Sequence, residues 1–380
     1  MKIWISILLI LLGLSDIKAQ AAIIDKEKLL EYYETQRYAD AARYLESLYP
    51  GDTQDVKALS QIAYCNMMAG KLSEAEKSYL KINTVQPDNL SILFSLANIS
   101  SRRGNAAKAK TYLTQIMKLD SLNFSACKQL AVYTENPEER LGYLKKANRL
   151  NNTDPDVAYD LSLAYKELRQ FQTAYDVLKT AINADPENFT LQQAQLPISN
   201  LLGKYQEVID TGKKLTKNNT DANVINEMGQ AYFYLKDYQT CITLFKALED
   251  MGIKNEGTLY FMALSYRELK NYDLAAEYAT KAIDEGISKH TAIYYTALGG
   301  IYESKNQFPE AVTAYKRGLT FNNSNTINYR LGLLYDLNLK QAKNALSYYH
   351  LYLKNKPDQE KEKDQISYAK ARIAVLTGQK

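Results

Sequence analysis

The chain has 380 residues and nearly balanced charge, 47 Lys and Arg against 43 Asp and Glu, for a net charge of +4. It carries no basic stripe of the kind a phosphate backbone demands, so nucleic acid is not an expected partner. Tyr is abundant at 31 residues while Pro (8) and Gly (16) are scarce, which with many Leu, Ala, Lys and Glu suits a mostly helical chain.

Residues 1–21 read as a signal peptide. Lys2 supplies a positive start, Ile3 to Leu14 form the apolar run, and Ala19-Gln20-Ala21 offers small residues for cleavage. The run is shorter than the roughly 20 residues of a membrane span. The expectation is an exported, soluble protein, periplasmic or envelope-associated in a bacterium. The alternative is a retained segment that tethers an envelope-complex subunit, and only then is a membrane contact expected. Three cysteines follow, Cys65, Cys127 and Cys241, each on an apolar helix face. They read as small buried hydrophobes.

Downstream the chain is periodic. An aromatic-x-x-Ala pattern opens at Tyr38-Ala39-Asp40-Ala41 and returns in Leu72-Ser73-Glu74-Ala75, Phe171-Gln172-Thr173-Ala174, Tyr272-Asp273-Leu274-Ala275 and Phe308-Pro309-Glu310-Ala311. The anchors stand at 41, 75, 109, 140, 174, 208, 241, 275, 311 and 345, with intervals of 31 to 36 residues and mostly 34. A second anchor, about twelve residues earlier, is mostly small: Ala63, Ala97, Ala131, Ser162, Gly229, Ala263, Gly299 and Gly332. Three residues after it the later copies place Tyr165, Tyr232, Tyr266, Tyr302 and Tyr335. Small residues let two helices approach, and a Tyr one turn on fills the space beside them. Pro87, Pro186 and Pro357 follow the second helices, where Pro ends a helix at no cost.

These sites together resemble the tetratricopeptide repeat family, whose period is 34 residues. The family's usual Trp is replaced by Leu59, Leu93 or Tyr295. The resemblance implies an all-α fold, a right-handed superhelical solenoid of about ten helix-turn-helix repeats over residues 22–357. Residues 358–380 then form a C-terminal capping helix and tail, with Ile366, Ala369, Ile373 and Leu376 at helical spacing. Each helix pair has two apolar faces and cannot bury both alone, so neighbours must stack. Two repeats depart from the pattern. The fourth is three residues short, with Asn136-Pro137 between its helices and Arg140 at the Ala site. The sixth carries Leu196 at the small site and Pro197 inside a first helix, where a kink is expected.

Candidate chemistry is sparse. His290 and His350 lie in different repeats, and no local set reaches the four ligands of a zinc site. Gly299-Gly300 lacks the Lys-Ser/Thr of a phosphate loop, and Glu138-Glu139 and Asp154-Asp156 sit where acids cap helices. No catalytic residue, cofactor or metal is therefore expected. A glycan-active solenoid enzyme is the rival class; it would need exposed Trp and a convergent acid pair, and the mature chain has neither.

The resemblance also implies a concave groove, lined by residues three before and one and four after the small anchor. Its candidate partner-binding residues are Phe94, Asn98, Tyr159, Asn226, Gln230, Phe233, Tyr260, Arg267 and Tyr329, with Lys128, Lys166, Gln193 and Glu303 at equivalent sites. The Lys and Asn clamp of the family's co-chaperone branch is absent. A mixed aromatic and amide stripe remains, suited to a peptide or partner protein. The expected function is a non-enzymatic interaction scaffold.

Overall fold

Asn and Asp punctuate this chain because their side chains accept hydrogen bonds from the first free backbone N–H groups of a helix. Asp55 caps one helix by accepting from Lys57 N and Ala58 N at 2.9 and 3.1 Å, and Asn89, Asn105, Asn123, Asn136 and Asn188 repeat the device. The computed structural model describes residues 24–217, 221–286 and 290–378. The expected signal segment, residues 1–21, lies outside them. Among the described residues there are 21 α-helices and no strand.

Twenty of the helices form ten hairpins. The first four pair α1 (Lys26–Glu34) with α2 (Tyr38–Leu48), α3 (Val56–Met68) with α4 (Leu72–Val85), α5 (Leu90–Arg102) with α6 (Ala106–Leu119) and α7 (Phe124–Val132) with α8 (Pro137–Leu150). Next come α9 (Pro155–Glu167) and α10 (Phe171–Ala184), α11 (Phe189–Leu201) and α12 (Tyr205–Leu215), and α13 (Ala222–Tyr234) and α14 (Tyr238–Asp250). The last three are α15 (Glu256–Glu268) with α16 (Tyr272–Asp284), α17 (Thr291–Ser304) with α18 (Phe308–Phe321), and α19 (Asn325–Leu333) with α20 (Ala342–Lys354). Helix α21 (Lys363–Thr377) closes the series, burying Ile366 and Ala369 as expected of a cap. Two compact units divide the chain within α9, one ending at Val157 and the other beginning at Ala158.

The repeat anchors are the core. Ala41, Ala75, Ala109, Ala174, Ala275, Ala311 and Ala345 are all 0 % exposed, and Val208 and Cys241 match them. Arg140 is the exception and faces solvent. The turn inside every hairpin but the fourth is equally regular. Gln36, Gly70, Gly104, Arg169, Gly203, Lys236, Lys270, Asn306 and Lys340 all take φ between 54° and 76°. The next residue's N–H then reaches back to the last turn of the first helix, as in Lys71 N to Asn66 O at 2.8 Å and Asn271 N to Tyr266 O at 2.9 Å. That is the closing bond of a Schellman motif, and it holds successive hairpins to one geometry.

The irregular repeats have physical causes. The fourth loses about one turn from α7, which has 9 residues where most first helices have 13. Asn136 then caps α8 directly, with Pro137 in its first turn. Helix α11 runs unbroken from Phe189 to Leu201 through Pro197. Pro197 donates no hydrogen bond to the Gln193 carbonyl, so that acceptor loses its usual intrahelical partner. The spacing from Gly332 to Ala345 is 13 residues where the other hairpins, apart from the short fourth, have 12. A π-helical turn, Leu334–Asn338, absorbs the extra residue.

All three cysteines are buried free thiols. Burial pushes each thiol above its ordinary pKa, Cys241 to about 11. The thiolate is the nucleophile. The folded protein is therefore expected to react with Ellman's reagent at pH 8 far more slowly than the same protein in 6 M guanidinium, where three thiols titrate at once. Fast native labelling of any one would contradict this packing.

Candidate partner-binding face

In every hairpin the residue three before the small anchor and those one and four after it share a face of the first helix. In the unit ending at Val157, Phe94 is half-buried against the cluster of Leu93, Leu113, Ile116 and Leu130. Asn98, on the same helix, is exposed and makes no hydrogen bond to another described residue. Lys128 is engaged: its ammonium lies 3.0 Å from Asp154 and 2.7 Å from Asp156. Asp154 also accepts from Val157 N at 2.9 Å, the capping role expected of it.

The unit beginning at Ala158 carries the remaining candidates. Tyr159 packs on the cluster of Tyr175, Leu178 and Ile198. Phe233 and Tyr260 pack on the cluster around Phe245 and Met262. Phe233 meets the Phe261 ring at 5.2 Å, and Tyr260 meets Tyr294 at 5.1 Å. Tyr329 lies 5.1 Å from the Tyr352 ring. These aromatics are thus half-buried structural groups that show an edge to solvent. Truncating Tyr159, Phe233 and Tyr260 together would open cavities between repeats, so it cannot separate binding from folding.

The polar candidates behave differently. Asn226 and Gln230 stand one turn apart on α13, half-buried, and neither hydrogen-bonds another described residue. Arg267 pairs with its neighbour Glu268 at 2.7 Å. Glu303 accepts from the Tyr315 hydroxyl and from Arg330 at 3.3 Å. Gln193 donates to Asp221 at 3.1 Å. Lys166 forms no hydrogen bond or ion pair with another described residue. His290 Nδ1 lies 3.4 Å from Glu256, joining two hairpins.

Sequence reasoning passed over Glu227 and Asn200. Asn200 donates to the Glu227 carboxylate at 2.7 Å and to its backbone carbonyl at 3.0 Å. Burial raises the Glu227 carboxyl above the ordinary range, against the opposing pull of Asn200 and Lys166. Among the described residues no group of three or more His, Cys, Asp or Glu side chains is placed to hold a metal, and no helix is long and apolar enough to cross a membrane.

Stacked helical hairpins with a repeating small-residue crossing define an all-α repeat protein. Residues 155–188 and 260–326 match family models described as Tetratricopeptide repeat. The chain belongs to the tetratricopeptide repeat family. A TPR repeat-containing protein of Methanocaldococcus jannaschii is 21 % identical over 300 residues, 77 % of this chain and 49 % of its own. The chain therefore spans about half the length of that curated relative. Similar solved structures include a tetratricopeptide repeat protein from Parabacteroides merdae, at 17 % identity and TM-score 0.41 over 63 % of this chain and 96 % of that one. Yeast Tom70 is similar at 13 % identity and TM-score 0.47, over 93 % and 95 % of the two chains. Human IFIT1 is similar at 15 % and 0.49, over 94 % and 92 %.

Proposed function

We propose that this chain is a non-enzymatic scaffold that binds a polypeptide along the first-helix face, in the bacterial cell envelope. The observation that carries the reading is the set of amide side chains left open on that face. Asn226 and Gln230, in the unit that begins at Ala158, have no hydrogen-bonding partner among the described residues, and within the other unit the same holds of Asn98. Asn and Gln offer both donors and acceptors, which match the alternating groups of an extended backbone. The half-buried rings beside Asn226 and Gln230 supply rigid apolar surface at small entropic cost. The envelope location rests on Lys2, the apolar Ile3 to Leu14 and Ala19-Gln20-Ala21.

The test is capture from an envelope extract by wild type and by the Asn226→Ala/Gln230→Ala variant in parallel. These changes break no internal hydrogen bond, so stability in a thermal melt is expected to hold within the roughly 0.5 kcal/mol of a neutral surface substitution. A co-purifying protein is expected to be lost or reduced about tenfold with the variant. Equal capture by both proteins would remove this face from the binding site.

A further inference from the structure

A polar recess on the first-helix face lies between α9, α11 and α13, wholly within the unit that begins at Ala158. It is a cleft of about 350 Å³ whose walls include Tyr159, Lys166, Gln193, Pro197, Asp221 and Glu227. Two carboxylates and one ammonium line it. Asp221 is already committed, since it caps α13 through Asn223 N and Val224 N and accepts from Gln193. Glu227 is not. Its Oε2 accepts from Asn200, while its Oε1 bonds no described residue. Asn200 Oδ1 is buried with no partner. Pro197, also in the wall, removes the usual donor to the Gln193 carbonyl. The recess therefore presents one open carboxylate oxygen, Glu227 Oε1, and with Asp221, Glu227 and Lys166 counted it carries a net charge of −1.

We propose that this cleft seats a basic side chain, Lys or Arg, of an extended peptide lying along the first-helix face, with Glu227 as its ion-pairing partner. The inference deepens the scaffold reading and rests on it. An ammonium or guanidinium brings N–H donors that meet Glu227 Oε1 and one positive charge that cancels the net charge of the recess. The methylene stem of such a side chain passes over the Tyr159 ring, where apolar surface is available. Lys166, also in the wall, sets a direction, because it disfavours a second cation beside it and attracts a backbone carbonyl or an acidic neighbour. Burial makes the Glu227 carboxylate costly to hold unpaired, which agrees with a cation arriving to complete it.

The experiment uses the full chain and fluorescein-labelled nonapeptides of alternating Ala and Ser, carrying Lys, Arg, norleucine or Glu at the centre. Anisotropy titrations are run with wild type, Glu227→Gln and Glu227→Lys, with circular dichroism as the folding control. Glu227→Gln retains an acceptor for Asn200, so it keeps the local fold. Wild type is expected to bind the Lys and Arg peptides about tenfold tighter than the norleucine peptide, the size of one hydrogen bond to a charged group. Glu227→Gln should erase that preference, and Glu227→Lys should turn it toward the Glu peptide. Equal binding of all four peptides, or a basic preference that survives Glu227→Gln, overturns the inference and leaves the scaffold reading standing. No binding of any peptide overturns the inference too. The scaffold reading falls with it only if Asn226→Ala/Gln230→Ala also captures partner as well as wild type.

Discussion

Arg372→Leu is expected to destabilise the C-terminal end of the array by about 3–5 kcal/mol, the cost of stranding a buried charge. Arg372 on α21 donates from Nε and Nη2 to the Asp336 carboxylate at 2.7 and 2.8 Å. The Tyr349 hydroxyl donates to the same group at 3.2 Å. The Asp336 side chain is only 4 % exposed, whereas that of Arg372 is 29 % exposed. Removing the arginine leaves a carboxylate that water barely reaches, with one neutral donor. Removing the aspartate instead leaves a guanidinium already in contact with solvent, so Asp336→Asn should cost less. Replacing both by Leu should cost least, since a paired charge is often matched by a well-packed apolar pair.

The same bond has a pH signature. Arg372 holds the Asp336 carboxyl below its ordinary pKa in the folded state. A depressed carboxylate contributes stability that is present above the unfolded pKa, near 4, and is lost as pH falls through the folded value. The gap between wild type and Arg372→Leu should therefore be wide at pH 7 and should narrow on acidification, as the stranded carboxylate of the variant is neutralised. Thermal melts followed at 222 nm at pH 7 and pH 4 measure it, and hydrogen exchange in α20 and α21 locates it. A gap independent of pH would mean that packing, not charge, sets the loss.

The second large effect concerns the helix crossings. A methyl group built on Gly229 would sit 2.5 Å from the Phe245 ring, far inside contact distance. Gly229→Ala is expected to cost about 1–3 kcal/mol through overpacking, even though Ala is the better helix former by about 1 kcal/mol. Phe245→Leu in the same chain should recover much of that loss. The reason lies in the other repeats: Ala97 faces Leu113 in one core cluster, and both are buried. The small site and the residue sixteen positions later thus trade volume. Gly299 stands over Tyr315 in the same way, and Gly332 over Tyr349 at seventeen, where the π-helical turn adds one residue. A double-mutant cycle on Gly229 and Phe245 should give a favourable coupling of about 0.5–3 kcal/mol. Additive losses would show that the two side chains do not share the space.

How much of this was legible in the chain follows from what a period can encode. Anchors such as Ala75, Ala109 and Ala275 mark one face of one helix, and a face repeated every 34 residues or so has to be buried against its neighbours; hairpins, their crossings and the closing helix at Ile366 and Ala369 follow from local spacing. The short fourth repeat announced the shortened α7, and the 13-residue interval from Gly332 to Ala345 held the signal for the π-helical turn. The fate of the first-helix side chains was not written in any spacing. Phe94, Phe233 and Tyr260 occupy positions that resemblance assigns to a groove, yet each has enough apolar area to reach a neighbouring cluster and be half-covered by it. Lys128 looked available until Asp154 and Asp156, 26 and 28 residues on, came within reach of its ammonium. Glu227 belongs to no repeat position with a known use, and its exposure to Asn200 and the cleft arises from two helices meeting. Periodicity reports which way a residue points from its own helix axis; what it then meets depends on the packing of other helices, a relation between distant residues that a one-dimensional repeat does not carry.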